Sequence, residues 1–182
     1  ALTLRLSSDH PEPLFGIAVD DSHNYHTIAT NQANSGRGWI QVRATHLTPD
    51  SILRSLERGD FYASSGVAIS EIHSSTNELK FTIRPEPGVT YRTEFIGTRR
   101  GIDLDSEQVT DANGLPLPVT RRYSPRLGEV FTVVEGANPS YQLRGDELYV
   151  RARVVSSKDK ENSGGPAEKE MAWVQPVIPS LP

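Results

Sequence analysis

The order of apolar and polar residues in the first third of the chain predicts a strand, a long loop and a second strand. Residues 14–19 (LFGIAV) form a short apolar run, which predicts a buried strand that ends at Asp20 and Asp21. Residues 20–37 contain few large apolar side chains and predict a loop, and a loop of this length is often functional. Residues 38–44 (GWIQVRA) predict the next strand.

The clearest helical pattern covers residues 49–58. Thr48 suits the N-cap position, Pro49 suits the first helical position, and Gly59 suits the left-handed residue that ends a helix. Apolar residues follow one another at helical spacing, at Ile52, Leu53 and Leu56. The spacing therefore predicts an amphipathic helix at this place.

After Gly59 the pattern changes to the alternation that is typical of half-buried strands. Strands are predicted near residues 68–72, 79–83, 91–96, 130–134, 148–154 and 172–177. Turn sequences separate them at 85–88 (PEPG) and 111–114 (DANG), and the charged segment 157–168 predicts a solvated hairpin loop. This series of short strands predicts a mainly β fold, an antiparallel immunoglobulin-like β-sandwich over residues 66–182.

Composition and charge exclude several classes of protein. The chain has 182 residues and a formal net charge of −4, without the basic stripe that is typical of a nucleic-acid binder. No apolar run approaches the ~18 residues of a membrane span. Cysteine is absent, which excludes disulfides and thiolate metal sites but leaves the compartment, exported or cytoplasmic, open. Because the chain begins at Ala1 and its one methionine is Met171, we expect a processed or partial product.

The candidate chemistry lies directly after the first predicted strand, in the sequence DDSHNYH. Asp21 and His23 form a D-x-H, which would place a carboxylate and an imidazole at the end of that strand, and both suit Zn, Mn or Fe. Asp20 or His26 would then fix the imidazole tautomer. The alternative interpretation is an exposed Asx turn with a nearby histidine.

The sequence also resembles a known family over residues 14–73. LFGIAVDDSHNY, followed by GRGWIQVRATHLTPDSILRSLERGDFYASSG, resembles the C-terminal end of PHP-type metal-dependent phosphoesterases, the polymerase and histidinol phosphatase superfamily. The resemblance implies that residues 1–65 are the C-terminal remnant of an α/β barrel with one helix. It also implies that Asp21 and His23 bind the catalytic metal cluster, and that the β domain is appended to the barrel.

The chain departs from that family in its other metal ligands. Family members open with an H-x-H and carry further His, Asp or Glu ligands, but none of the five histidines here forms an H-x-H. A site that needs several ligands per metal has two credible ones in this sequence. We therefore expect no hydrolysis by this chain alone. The phosphoester substrate would bind through a barrel that lies outside it.

Arg43 follows the long loop and is a candidate to bind a phosphate oxygen, with a surface charge as the alternative. Phe61 and Tyr62 are interpreted as core residues, and Trp39 and Trp173 as core or interdomain anchors. A serine or cysteine nucleophile and a phosphate-binding P-loop are not indicated.

Two functions remain open at this point. The first is the C-terminal portion of a PHP-type hydrolase, and the second is a noncatalytic β-sandwich that binds protein or carbohydrate. A homodimer is also expected, because an unpaired N-terminal strand would pair with a neighbouring copy.

Overall fold

The computed structural model describes residues 1–8 and 11–179, with the side chains of residues 119 and 120 left aside, and it is mainly β. In this part of the chain the elements are α1 (Leu2–Leu6), β1 (Trp39–Val42), α2 (Pro49–Glu57), β2 (Phe61–Ser64), β3 (Ile69–Ser74), β4 (Glu78–Ile83), β5 (Tyr91–Arg99), β6 (Ser106–Thr110), β7 (Pro116–Tyr123), β8 (Glu129–Glu135), β9 (Ser140–Gln142), β10 (Glu147–Asp159) and β11 (Lys169–Val177). Neither of these helices combines the length and the apolar character that crossing a membrane requires.

The strands pair in antiparallel fashion in three sheets. The large sheet has six strands in the order β1-β2-β11-β10-β5-β8, the small sheet has the order β3-β4-β9, and β6 and β7 form a separate hairpin. The predicted mainly β fold with antiparallel sheets is therefore confirmed. Its immunoglobulin-like character stays a prediction.

One core lies between the large and the small sheet. Phe95, Val150 and Val154 contribute to it from the large sheet, and each is fully buried. Leu79, Phe81 and Ile83 contribute from β4, where the predicted alternation places every second side chain inward. The rings of Phe81 and Phe95 lie 6.2 Å apart across the two layers. This packing joins the sheets in a sandwich-like arrangement.

Strands from both sides of the predicted domain boundary share the large sheet. In β2, Ala63 lies opposite Trp173 of β11, and on its other side it lies opposite Ile40 of β1. Residues 39–64 thus extend the sheet whose other strands come after residue 90. The boundary between residues 65 and 66 stays a prediction, but no break in the sheet accompanies it.

The prediction of a buried strand at residues 14–19 is wrong. Ile17 and Val19 are 64% and 68% exposed, and Leu14 is 46% exposed. A strand requires backbone partners, and within the described residues none of the sheets includes this segment. The segment is attached instead through the ring of Phe15 and the backbone of Gly16, and its end packs closely on Gly38.

Candidate functional site

Asp21 and His23, the predicted metal ligands, contact each other at the start of the long loop. The distance from His23 Nε2 to Asp21 Oδ1 is 3.4 Å, and the two side chains are 71% and 89% exposed. Asp21 has a φ of +50°, a left-handed conformation that Asp adopts more readily than most residues. The backbone therefore turns at Asp21, and the carboxylate and the imidazole two residues later lie side by side.

The donor atoms of this pair fit two ligands of one ion. Oxygen and nitrogen ligands lie about 2.0–2.2 Å from a tetrahedral Zn²⁺, which places two of them roughly 3.4 Å apart. The observed 3.4 Å also suits a weak ion pair between two exposed side chains. In residues 1–8 and 11–179, no group of three His, Cys, Asp or Glu side chains gathers. Two donor atoms would make up half of a tetrahedral ligand set, and the metal role of Asp21 and His23 stays a prediction.

Asp20 closes the loop that carries the pair. Its two carboxylate oxygens accept hydrogen bonds from the backbone N–H groups of Gly36, Arg37 and Gly38, at 2.8, 2.7 and 2.6 Å. Desolvation alone would raise the pKa of Asp20, but these three donors and the charge of Lys160 outweigh it and hold the pKa below its usual range. The carboxylate therefore stays ionised and ties the two ends of the loop together.

Asn34 organises the interior of the same loop. The residue is fully buried, and its Nδ2 donates to the carbonyls of Asn24 and Thr27 at 2.9 and 2.8 Å. Its Oδ1 accepts from the backbone N–H of Ala29 at 3.0 Å. Arg37 adds a hydrogen bond to the carbonyl of Ala29, at 2.9 Å. The predicted loop at residues 20–37 thus lacks strands and helices but has a defined internal structure, as in compact functional loops.

The other two predicted helpers lie apart from the pair. His26 is exposed and does not join Asp21 and His23 in a three-residue group. Arg43 follows β1, where its Nη1 donates to the carbonyl of Ile72 at 3.3 Å and its Nη2 lies 3.6 Å from Asp60 Oδ1. That Asp20, His26 and Arg43 orient a metal ligand or contact the substrate stays a prediction.

The aromatic residues fall into two groups. Phe61 and Tyr62 are buried, as predicted, and Tyr62 belongs to the core. Trp39 and Trp173 are half-buried and lie outside that core. Trp173 is placed outside because its neighbours Ala172 and Val174 point inward, so the alternation of β11 turns the indole to the outer face of the large sheet.

Two residues that hold the site loop and the segment before it could not be recognised in the sequence. Asn34 is one asparagine in a loop rich in polar residues, and no local spacing marks it as buried. Gln175 lies in β11, far along the chain from the segment that its side chain contacts at Gly16.

Comparison with protein-family models, with curated proteins and with solved structures finds no significant match to this chain.

Proposed function

We propose that this chain is the C-terminal portion of a PHP-type metal-dependent phosphoesterase. It would supply Asp21 and His23 as two ligands of the metal centre, together with an accessory β-sandwich. The observation that carries the proposal is the 3.4 Å contact between Asp21 Oδ1 and His23 Nε2, on a loop that Asp20 and Asn34 hold in place. Both donor atoms are open to solvent and hence to an incoming ion.

The residues of this chain have defined tasks in that enzyme. A divalent ion (Zn, Mn or Fe) would supply an activated water and a polarised phosphoryl oxygen. Asp21 and His23 would hold the ion, with the remaining ligands coming from outside this chain. Asp20 would keep the loop ends joined, so that the two donor atoms stay together before the ion binds.

The distribution of exposed apolar side chains supports a missing neighbour for this part of the chain. Seven large apolar residues between positions 14 and 53 are more than 40% exposed: Leu14, Ile17, Val19, Tyr25, Ile28, Leu47 and Leu53. Where exposed apolar side chains form one patch, the patch is typical of an interaction surface. In the proposed enzyme, it would contact the rest of the catalytic domain.

A Mn²⁺ titration followed by NMR tests the proposal on this chain. Mn²⁺ broadens the signals of nearby nuclei, so the resonances of Asp21 and His23 should broaden first, and D21A/H23A should abolish the effect at this loop. The chain offers a matched control pair, because Glu71 and His73 have the same acid-x-His spacing, with Oε2 and Nε2 3.6 Å apart and both side chains exposed.

The control distinguishes a specific metal site at Asp21 and His23 from a general affinity of exposed acid–histidine pairs for Mn²⁺. The proposal requires E71A/H73A to leave the broadening at Asp21 and His23 unchanged. Equal broadening at both pairs, or no broadening at Asp21 and His23, would contradict it. In a longer protein that includes further ligands, D21A/H23A should also abolish metal-dependent phosphoester hydrolysis.

A second candidate function is a noncatalytic β-sandwich that binds carbohydrate. It is favoured by a groove of about 550 Å³ on the outer face of the large sheet, lined in part by Trp173, Tyr123 and Arg151. The half-buried indole of Trp173 and the exposed phenol ring of Tyr123 suit stacking against a sugar. Quenching of Trp fluorescence by oligosaccharides in the wild type and W39A, with loss of the response in W173A, would support this function.

A further inference from the structure

A second groove, of about 420 Å³, opens between β1 and β2 of the large sheet and β3 of the small sheet. Three arginines line it: Arg43, Arg58 and Arg84. Its apolar wall includes Phe15, Phe61 and Tyr62. We refer to it as the arginine groove.

Asp60 holds two of the three guanidinium groups at this groove. Nε and Nη2 of Arg58 both lie 2.9 Å from Asp60 Oδ2, and Nη2 of Arg43 lies 3.6 Å from Oδ1. The side chain of Asp60 is 30% exposed, whereas those of Arg43 and Arg58 are 69% and 59% exposed. One less exposed carboxylate thus orients two guanidinium groups that keep further N–H donors open to solvent.

The groove carries an excess of positive charge. Its charged lining residues are the three arginines, Asp60 and Glu71, which leaves a net charge of +1. The carboxylate of Glu71 lies 3.6 Å from His73 Nε2. Arg84 is exposed, and its guanidinium makes no hydrogen bond or ion pair within residues 1–8 and 11–179. The positive charge of Arg84 is therefore not neutralised by a contact inside the described chain.

We infer that the arginine groove binds a phosphate monoester with an aromatic or apolar substituent. Guanidinium groups match phosphate oxygens in geometry. Arg84, whose guanidinium makes no hydrogen bond or ion pair within the described residues, would bind the phosphate directly. Arg43 and Arg58 would add the N–H donors that Asp60 and Ile72 do not accept. The wall formed by Phe15, Phe61 and Tyr62 offers contact surface to the organic substituent. The inference is independent of the metal pair, because neither Asp21 nor His23 lines the groove.

Calorimetry with phenyl phosphate tests the inference on this chain. Phenyl phosphate should bind saturably, and inorganic phosphate should bind more weakly because it lacks the ring. R84Q should weaken phenyl phosphate binding about tenfold, since it removes a charge-assisted contact. R84K keeps the charge but not the planar fork, so its affinity should lie between those of the wild type and R84Q.

R126Q is the matched control, because Arg126 is exposed and does not line the groove. It removes the same charge and should leave the affinity for phenyl phosphate unchanged. An equal loss in R126Q would overturn the inference, since it would show attraction by overall charge alone. The inference would also be overturned if R84Q bound phenyl phosphate with unchanged affinity. For this comparison, R84Q has to unfold at the same temperature as the wild type. Inorganic phosphate that binds as tightly as phenyl phosphate would overturn the assignment to a monoester.

Discussion

The side-chain amide of Gln175 pairs with both backbone groups of Gly16. Its Oε1 accepts from the Gly16 N–H, and its Nε2 donates to the Gly16 carbonyl, each at 2.8 Å. A neighbouring strand would satisfy one residue in the same way, with one donor and one acceptor. A side chain therefore replaces, at this single residue, the strand partner that residues 14–19 lack.

Replacing Gln175 with Ala should release the segment around Gly16. Both hydrogen bonds are lost, and water replaces them because the segment is near the surface. We therefore expect the free energy of unfolding to fall by about 1 kcal/mol. Amide hydrogen exchange at Gly16 and proteolysis between residues 11 and 19 should both become faster. Q32A, in the same part of the chain, should leave both rates unchanged; protection of Gly16 that survives in Q175A would contradict the prediction.

The long loop should lose its closure in acid. The pKa of Asp20 is lower in the folded state than its ordinary value of 3.8. The ionised carboxylate therefore stabilises the folded state at a pH above 3.8, and this stabilisation is lost as the pH falls through the lowered pKa. The amide protons of Gly36 and Gly38 should therefore shift together, at a pH below 3.8, as Asp20 takes up a proton. NMR titration measures this shift. In D20N the transition should vanish, and its persistence there would assign it to another group.

Glu94 should stabilise the large sheet through two arginines. Burial alone would raise the pKa of Glu94, but hydrogen bonds from Arg92 and Arg153 outweigh it and hold the pKa below its usual range. Replacing Glu94 with Ala leaves both arginines without this partner. We expect chemical denaturation to show a free energy of unfolding that is lower by about 2 kcal/mol. The loss is smaller than for a fully buried ion pair because both arginines can be rehydrated.

The control for this prediction is Glu135, which is 69% exposed and lies 4.0 Å from Arg92. E135A should cost less than about 0.5 kcal/mol, as for other exposed ion pairs. Equal losses in E94A and E135A would contradict the assigned role of burial.

Tyr141 should make the protein sensitive to alkali. Burial, together with a 2.7 Å hydrogen bond to the carboxylate of Glu147, raises the pKa of Tyr141 to about 12 from an ordinary value of 10.0. A tyrosine with a raised pKa contributes stability that is present below pH 10 and is lost as the pH rises toward 12.

Ultraviolet titration of the phenols measures this effect. One tyrosine should ionise near pH 12, and Y141F should remove that step. Y141F should also lower the free energy of unfolding at neutral pH by about 1–2 kcal/mol, because a hydrogen bond to a charged group is lost. Y25F is the control, since Tyr25 is 68% exposed. The assignment would be wrong if the step near pH 12 remained in Y141F.

Local signals account for what the sequence predicted well. Helix α2 begins and ends as expected, because Thr48 accepts a hydrogen bond from the Ser51 N–H at 3.4 Å and Gly59 has a φ of +73°. The alternation of β10 predicted Val150, Ala152 and Val154 as inward-facing. It failed nearer the start of β10, where the register with β5 is irregular between Glu147 and Tyr149. Glu147 is fully buried and contacts Tyr141 of the core, and Tyr149 is buried on the outer face of the sheet, in the groove that Trp173 also lines.

Long-range contacts account for what the sequence did not predict. Strand β6 is mostly polar and β9 has three residues, so neither shows the apolar alternation that marks a strand. Strand β7 contains Pro116 and Pro118, which argue against a strand in the sequence, although it pairs with β6 in a separate hairpin. At the site, the contact between Asp21 and His23 is consistent with their spacing. The partners of Asp20 are backbone groups 16 to 18 residues away, which no side-chain pattern can indicate.

The residue that ends helix α2 also seats the ring of Phe15. A Cβ atom at Gly59 would lie 2.4 Å from Phe15 Cε1, and the φ of +73° independently disfavours any other residue there. Phe15 in turn packs edge-to-face on Phe61, with ring centroids 6.0 Å apart. Positions 15 and 59 are therefore coupled: in related chains a side chain at position 59 should be accompanied by a small residue at position 15, and the attachment of the N-terminal segment should change whenever the end of the helix does.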